Sequence, residues 1–131
     1  MIATTKEQSS RLLRCGVSAD TADMAYATDC NVLLTAPYAE MRDRFQEKDC
    51  SPAWSLSVLL SDILPCDISD NDIDHSLFLQ RRRSADKTPT WELSYYNLEY
   101  DATLLFVEAA DTIEAAVQMA ERLTINGYKL N

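Results

Sequence analysis

Apolar residues recur along this chain with two periods, and the change near residue 77 separates a helical first part from a strand-rich second part. Thr4 to Glu7 reads as a capping box ahead of a helix over Thr5 to Cys15, with Gly16 placed to end it in a left-handed conformation. The apolar side of that helix is thin, mainly Leu12, Leu13 and Cys15, so it is expected on the surface of the fold. Ser18 or Asp20 then caps a short second turn through Met24 to Tyr26. Asn31 to Ala36 carries Val32, Leu33 and Leu34 and reads as a short strand, which Pro37 limits to a sheet edge. Tyr38, Met41 and Phe45 stand at i, i+3 and i+7 and predict a further helical stretch.

The segment from Ser51 to Pro65 carries apolar residues on two faces and predicts a central helix, with Ser51 as N-cap and Pro52 in the first turn. At about 100° per residue, Ala53, Leu56, Leu59, Leu60, Ile63 and Leu64 fall in one arc, while Trp54 and Val58 lie nearly opposite. Two readings of that second stripe follow. A neighbouring element such as the Tyr38 to Phe45 segment covers it, as is usual for tryptophan. Alternatively, Trp54 and Val58 are an exposed anchor for a partner protein or for a homodimer.

After Pro65 the run Asp67 to Asp74 is acidic without a compensating base and reads as a loop. Leu77 to Arg83 and Thr90 to Tyr96 then flank the turn-like Ser84 to Pro89, which predicts an antiparallel hairpin with Trp91, Leu93 and Tyr95 on one face. A third strand over Thr103 to Val107 extends it to a meander. The last element is a helix that starts at the Asp111 and Glu114 capping pattern and stops at Gly127. Ile113, Ala116, Val117, Ala120 and Leu123 form its buried stripe, while Glu114, Gln118, Glu121 and Arg122 face water. The fold class is therefore α+β: N-terminal and central helices, then an antiparallel three-stranded meander packed against the C-terminal amphipathic helix. At 131 residues, a single domain over 1–131 is expected.

Composition narrows the function classes without choosing one. The chain is 47% hydrophobic and 25% charged, the balance of a folded globular protein. Its net charge of -9 repels phosphate backbones and anionic membrane surfaces, which disfavours direct nucleic-acid binding. No apolar run approaches the roughly 20 residues of a membrane span, and Met1 to Gln8 lacks the charged and apolar regions of a signal peptide, so a cytoplasmic location is expected. Cys15, Cys30, Cys50 and Cys66 are evenly spread with no close pair, which suits reduced thiols better than a disulfide framework or a zinc site.

Candidate chemistry is sparse. The two glycines, Gly16 and Gly127, are both used as helix stops, which leaves none for a phosphate-binding loop or a nucleophile elbow. His75 is the sole histidine and would have to serve any Ser-His or Cys-His arrangement. Asp70, Asp72 and Asp74 have the spacing of the first calcium-loop ligands, but His75 and Arg81 stand where that loop needs glycine and glutamate. Arg81, Arg82 and Arg83, with Lys87 behind them, form the basic cluster; on a strand Arg81 and Arg83 point one way and Arg82 the other, which halves any anion-binding patch. No catalytic, cofactor-binding or metal-ligating residues are assigned, and Trp54, Val58, Arg81, Arg82 and Arg83 are the candidate interaction residues.

Several stretches, namely Thr5 to Ser9, Asp20 to Met24, Pro52 to Ser57 with Leu59 and Leu60, and Ala115 to Tyr128, resemble a family of small uncharacterised proteins from gut bacteria and their phages or mobile elements. The resemblance implies common descent and brings no activity, cofactor or site residue with it. A small cytoplasmic, non-enzymatic interaction or accessory protein, phage- or mobile-element-related, is the leading expectation. An acidic decoy that occupies nucleic-acid-binding sites on another protein is the alternative, and a hydrolase built on His75 the second alternative.

Overall fold

In a computed structural model, residues 2–27, 32–44, 50–83, 85–86 and 88–131 are described. Cys30, Asn31, Phe45, Ser84 and Lys87, which entered the sequence expectations, lie outside the described residues. The protein is α+β, with four helices and two antiparallel sheets among the described residues. In chain order the elements are α1 (Lys6–Arg14), β1 (Met24–Ala27), β2 (Val32–Leu34), α2 (Tyr38–Arg44), β3 (Cys50–Ala53), α3 (Leu56–Val58), β4 (Asp67–Asp70), β5 (Ile73–Arg83), β6 (Pro89–Asn97), β7 (Ala102–Ala109) and α4 (Thr112–Ile125). The smaller sheet has the order β2-β1-β3 and the larger is a meander, β4-β5-β6-β7. No helix among the described residues is long and apolar enough to cross a membrane.

The first helix is capped one residue later than its sequence suggests. Thr5, not Thr4, is the N-cap: its side chain accepts from the Gln8 amide, and the Gln8 side chain accepts from the Thr5 amide. Thr4 is committed elsewhere. Its Oγ1 accepts from the Trp54 amide at 3.0 Å and bonds Ser9 Oγ at 2.8 Å, while its own amide donates to the Trp54 carbonyl at 2.9 Å. Gly16, at φ +90°, does end the helical turn in the left-handed region.

Three expectations about the first part are corrected. Met24 to Tyr26 is not a second helical turn; Ser18 caps a short 3-10 turn over Ala19–Thr21, and the chain then enters β1, the middle strand of the smaller sheet. The expected central helix is a strand over its first three residues, Ser51 to Ala53. Pro52 sits in β3, an edge strand, where one ladder need not use its missing N–H. Ser55, not Ser51, is the helix cap, accepting from the Val58 amide at 3.3 Å. The helix that follows, α3, passes into a π-helical segment over Leu59–Ile63, and Pro65 holds Leu64 in an extended conformation that ends it.

Asp67 to Asp74 is not a loop. It forms β4, a turn and the start of β5, with Asn71 and Asp72 at φ 51° and 63°, the left-handed pair that a two-residue hairpin requires. The expected three-stranded meander therefore has a fourth strand. Ile68 and Ile73 alternate with acidic residues there, too few apolar positions to signal a strand against so much charge.

The larger sheet and α4 build most of the core. Along β6 and β7, Leu93, Tyr95, Val107 and Ala109 are buried and share the face on which α4 lies. Asp111 caps α4 by accepting from the Ile113 and Glu114 amides, and the Ile113, Ala116, Val117, Ala120 and Leu123 stripe is wholly buried, joined by Ala115 and Met119. The other side of α4 meets α1. There Arg11 makes paired hydrogen bonds to Glu114 at 2.7 and 3.0 Å and to Glu121 at 3.2 and 2.6 Å. Glu114 and Glu121 thus face a neighbouring helix rather than bulk water alone.

Candidate interaction surface

Trp54 is fully buried, 0% exposed, and its indole N–H donates to Thr21 Oγ1 at 2.9 Å. With both faces of the ring covered and its one donor used, it presents no anchor to a partner. Val58 is half-buried and packs against the same core. The exposed-anchor alternative is therefore corrected for Trp54: the side chain lies within the chain's own core, its indole N–H bonded to Thr21 and its backbone to Thr4.

The arginines divide between the two sides of the sheet as strand alternation requires. Arg81 lies opposite Trp91 in the ladder with its guanidinium 5.7 Å from that ring, a cation–π contact. Arg82 points to the other side, where Nε stands 3.3 Å from Glu92. Arg83 is exposed at the strand end. Together the three residues and Pro89 line a shallow depression of about 390 Å³ at the hairpin tip.

His75 is brought to the covered side of the sheet, opposite Ile68, and is 5% exposed. Its Nδ1 is buried without a hydrogen-bond partner. Asp70, Asp72 and Asp74 spread over a strand end, a turn and the next strand, and among the described residues no three His, Cys, Asp or Glu side chains converge as a metal site would need. Cys15 follows α1, Cys50 opens β3 and Cys66 precedes β4, and burial raises the Cys15 thiol pKa above its usual value.

A surface that the sequence reading missed lies on the opposite side of β5, β6 and β7 from α4. Ladder register places Phe78, Ser94 and Phe106 in one row across the three strands, Ser76, Tyr96 and Thr103 in the row toward the β4–β5 turn, and Gln80, Glu92 and Glu108 in the row toward the arginines. Phe78 is 45% exposed and Phe106 42%. Phe78 meets Tyr96 edge to face, with ring centroids 5.7 Å apart. Leu98 and Tyr100, both exposed, stand in the β6–β7 turn beside them.

These side chains and their polar neighbours line a depression of about 450 Å³ whose floor includes Phe78, Ser94 and Tyr96. The Tyr96 hydroxyl donates to the Asp101 carboxylate, and that hydrogen bond raises the phenol pKa above its ordinary value. A register shift beside Tyr95 and Tyr96 leaves Leu104 as an extra residue in β7 and increases the local twist of the strand. The signal was present in the sequence as aromatic residues of the wrong parity. Trp91, Leu93 and Tyr95 define the covered face of β6, so Tyr96 had to lie on the other one, whereas the register puts Phe78 and Phe106 there with it.

Charge is polarised along the same sheet. The β4–β5 and β6–β7 turns bring Asp67, Asp70, Asp72, Asp74, Glu99 and Asp101 to one end, while Arg81, Arg82 and Arg83 occupy the other. The Asn97 side chain donates to the Asp74 carbonyl at 2.8 Å and ties the two acidic turns together. Comparison with protein-family models, curated proteins and solved structures returns no match.

Proposed function

We propose that this chain is a non-enzymatic interaction protein that docks through the outer face of its larger sheet. The observation that carries this reading is the exposed aromatic row at Phe78 and Phe106, set on a rigid four-stranded sheet with no helix over it among the described residues. Exposed aromatic rings rimmed by polar side chains are the usual composition of a binding surface, whereas a face meant only for water carries charge. Burial of His75 on the covered face counts against the hydrolase alternative, because a reacting group needs access to substrate. The acidic decoy is also less well supported: the carboxylates cap one end of the sheet and the opposite end is basic, whereas a phosphate mimic needs a continuous acidic stripe.

A cytoplasmic accessory role in a phage or mobile element fits the family resemblance. The docking reading is tested by site-specific photo-crosslinking of the full chain in cells, with a benzophenone amino acid at Phe106 and, as control, at the exposed Ile125 on α4. A discrete adduct from position 106 and none from position 125 is the expected result. No adduct at either site, or equal labelling at both, would overturn the reading.

A further inference from the structure

We infer that the occupant of the outer sheet face is a second copy of this chain, related to the first by a two-fold axis that crosses the strands at the Phe78, Ser94 and Phe106 row. The inference rests on the docking reading above and adds the identity and direction of the partner. Its basis is the placement of charge about that row. Asp74 and Arg82 are the fourth residues before and after Phe78, so both side chains share its face and stand about 13 Å from it in opposite directions along β5.

A half-turn about an axis across the strands lays β5 of one copy antiparallel over β5 of the other and puts each Arg82 above the Asp74 of its mate. The same operation sets the Gln80, Glu92 and Glu108 row over the Ser76, Tyr96 and Thr103 row, so that neither Glu92 nor Glu108 stands over a carboxylate of that row. Phe78 and Phe106 meet their own copies at the axis, where an isologous contact concentrates its apolar centre. An axis along β5 would instead place Arg82 over Arg82 and Asp74 over Asp74, and an axis along β6 would place Glu92 over Glu92. Direction is thus selected by charge.

Two considerations set the strength of the pairing. A net charge of -9 on each copy is repulsive at a distance, but screening over about 8 Å at physiological ionic strength leaves the outcome to groups in contact. Four strands span about 14 Å and eight residues about 27 Å, so the flat part of the face is roughly 400 Å², half of the roughly 800 Å² that each partner buries in a tight complex. The dimer therefore belongs to the weak class, dissociating in the micromolar range.

Sedimentation equilibrium of the full chain from about 1 to about 500 µM tests this directly. The wild-type chain should pass from monomer to dimer across that range. Phe106→Lys should weaken association by at least about tenfold, and Arg82→Glu or Asp74→Arg alone should each do the same by setting like charges together at two symmetry-related positions. An equimolar mixture of Arg82→Glu and Asp74→Arg chains should recover wild-type association, because one ion pair re-forms with reversed sign and the other is the unaltered Asp74–Arg82 pair; a misfolded variant could not produce that rescue. A wild-type chain that stays monomeric, a dimer indifferent to Phe106→Lys, or a mixture no stronger than its components would overturn the inference. The crosslink at position 106 separates the two failures: an adduct with a different protein keeps the docking face and removes the second copy, whereas a dimer indifferent to Phe106→Lys without any site-specific adduct removes both.

Discussion

The two faces of the β5–β6–β7 ladder are made from alternate residues of the same three strands, yet they have opposite fates. On one face Leu93, Tyr95, Val107 and Ala109 are buried beneath α4; on the other, Phe78 and Phe106 remain in contact with water. The Tyr95 hydroxyl donates to the Pro65 carbonyl, and burial pushes its pKa up, whereas the adjacent Tyr96 bonds the exposed Asp101. Hydrophobicity does not distinguish the faces, since both carry aromatic rings. What differs is the presence of a covering element, and that depends on where β7 leads: the chain turns directly into α4, and a helix can close one side of a sheet only.

The largest contrast is expected in stability. Leu93 is fully buried at the centre of the covered face, so Leu93→Ala should cost about 2–5 kcal/mol through lost transfer energy and the cavity left behind. Urea denaturation of the full chain measures it. A loss below about 1 kcal/mol would mean that α4 closes over the gap easily and that the covered face is less rigid than its packing implies.

That contrast also marks how far the sequence could be read. The stripe of α4, its Asp111 cap and Gly127 stop, the edge placement of β2 and the β5–β6–β7 order all follow from local periodicity and terminal residues, so they were legible. The segment around Trp54 was not. Its apolar residues satisfy a helical arc, but pairing with β1 over Cys50 to Ala53 and the demand of the Trp54 backbone for Thr4 override that local preference. Such long-range partners leave no trace in spacing. The hairpin turn at Asn71 and Asp72 was legible in principle, since those residue types tolerate positive φ, but the surrounding charge concealed it. The docking face was hidden for a different reason: its residues come from three strands, and their adjacency exists only once the register is known.

A smaller effect separates the helical layer from the sheet. Arg11 binds Glu114 through two hydrogen bonds, with further donors from Gln8 and Gln118, and this holds the Glu114 carboxyl down to about 2. A folded-state pKa below the unfolded value means that the carboxylate contributes stability above the ordinary carboxylate range and loses it as pH falls from about 5 toward 2. Part of this side chain stays in water, which screens the interaction, so Glu114→Gln should cost about 1–2 kcal/mol at neutral pH. The difference from wild type should narrow in that acid window. Melting curves of both chains between about pH 7 and pH 3 check it, and a difference independent of pH would show that packing, not charge, joins α1 to α4.

The covered face has one weak point. His75 is buried with Nδ1 unpartnered, and replacing a buried unsatisfied polar group by an apolar one of similar size is neutral or favourable. His75→Leu should therefore raise stability by up to about 1 kcal/mol. A loss of about 2 kcal/mol instead would reveal a hydrogen-bonded role for the imidazole, such as a bound water that a high-resolution crystal structure of the wild type would resolve.

The smallest effect belongs to the open face. Phe78 packs edge to face on Tyr96 and otherwise meets solvent, so Phe78→Ala in the monomer forfeits that ring contact, worth about 0.5–1.5 kcal/mol, against some relief of exposed apolar surface. The net change measured by urea denaturation at low protein concentration should stay within about 1 kcal/mol, well short of the Leu93 effect one strand away. A cost comparable to Leu93→Ala would make Phe78 part of an interior, and the distinction between the faces would fail. A small cost in the monomer together with a large loss of association at higher concentration would place the worth of this side chain in the complex, where an aromatic residue on an otherwise finished fold has its physical use.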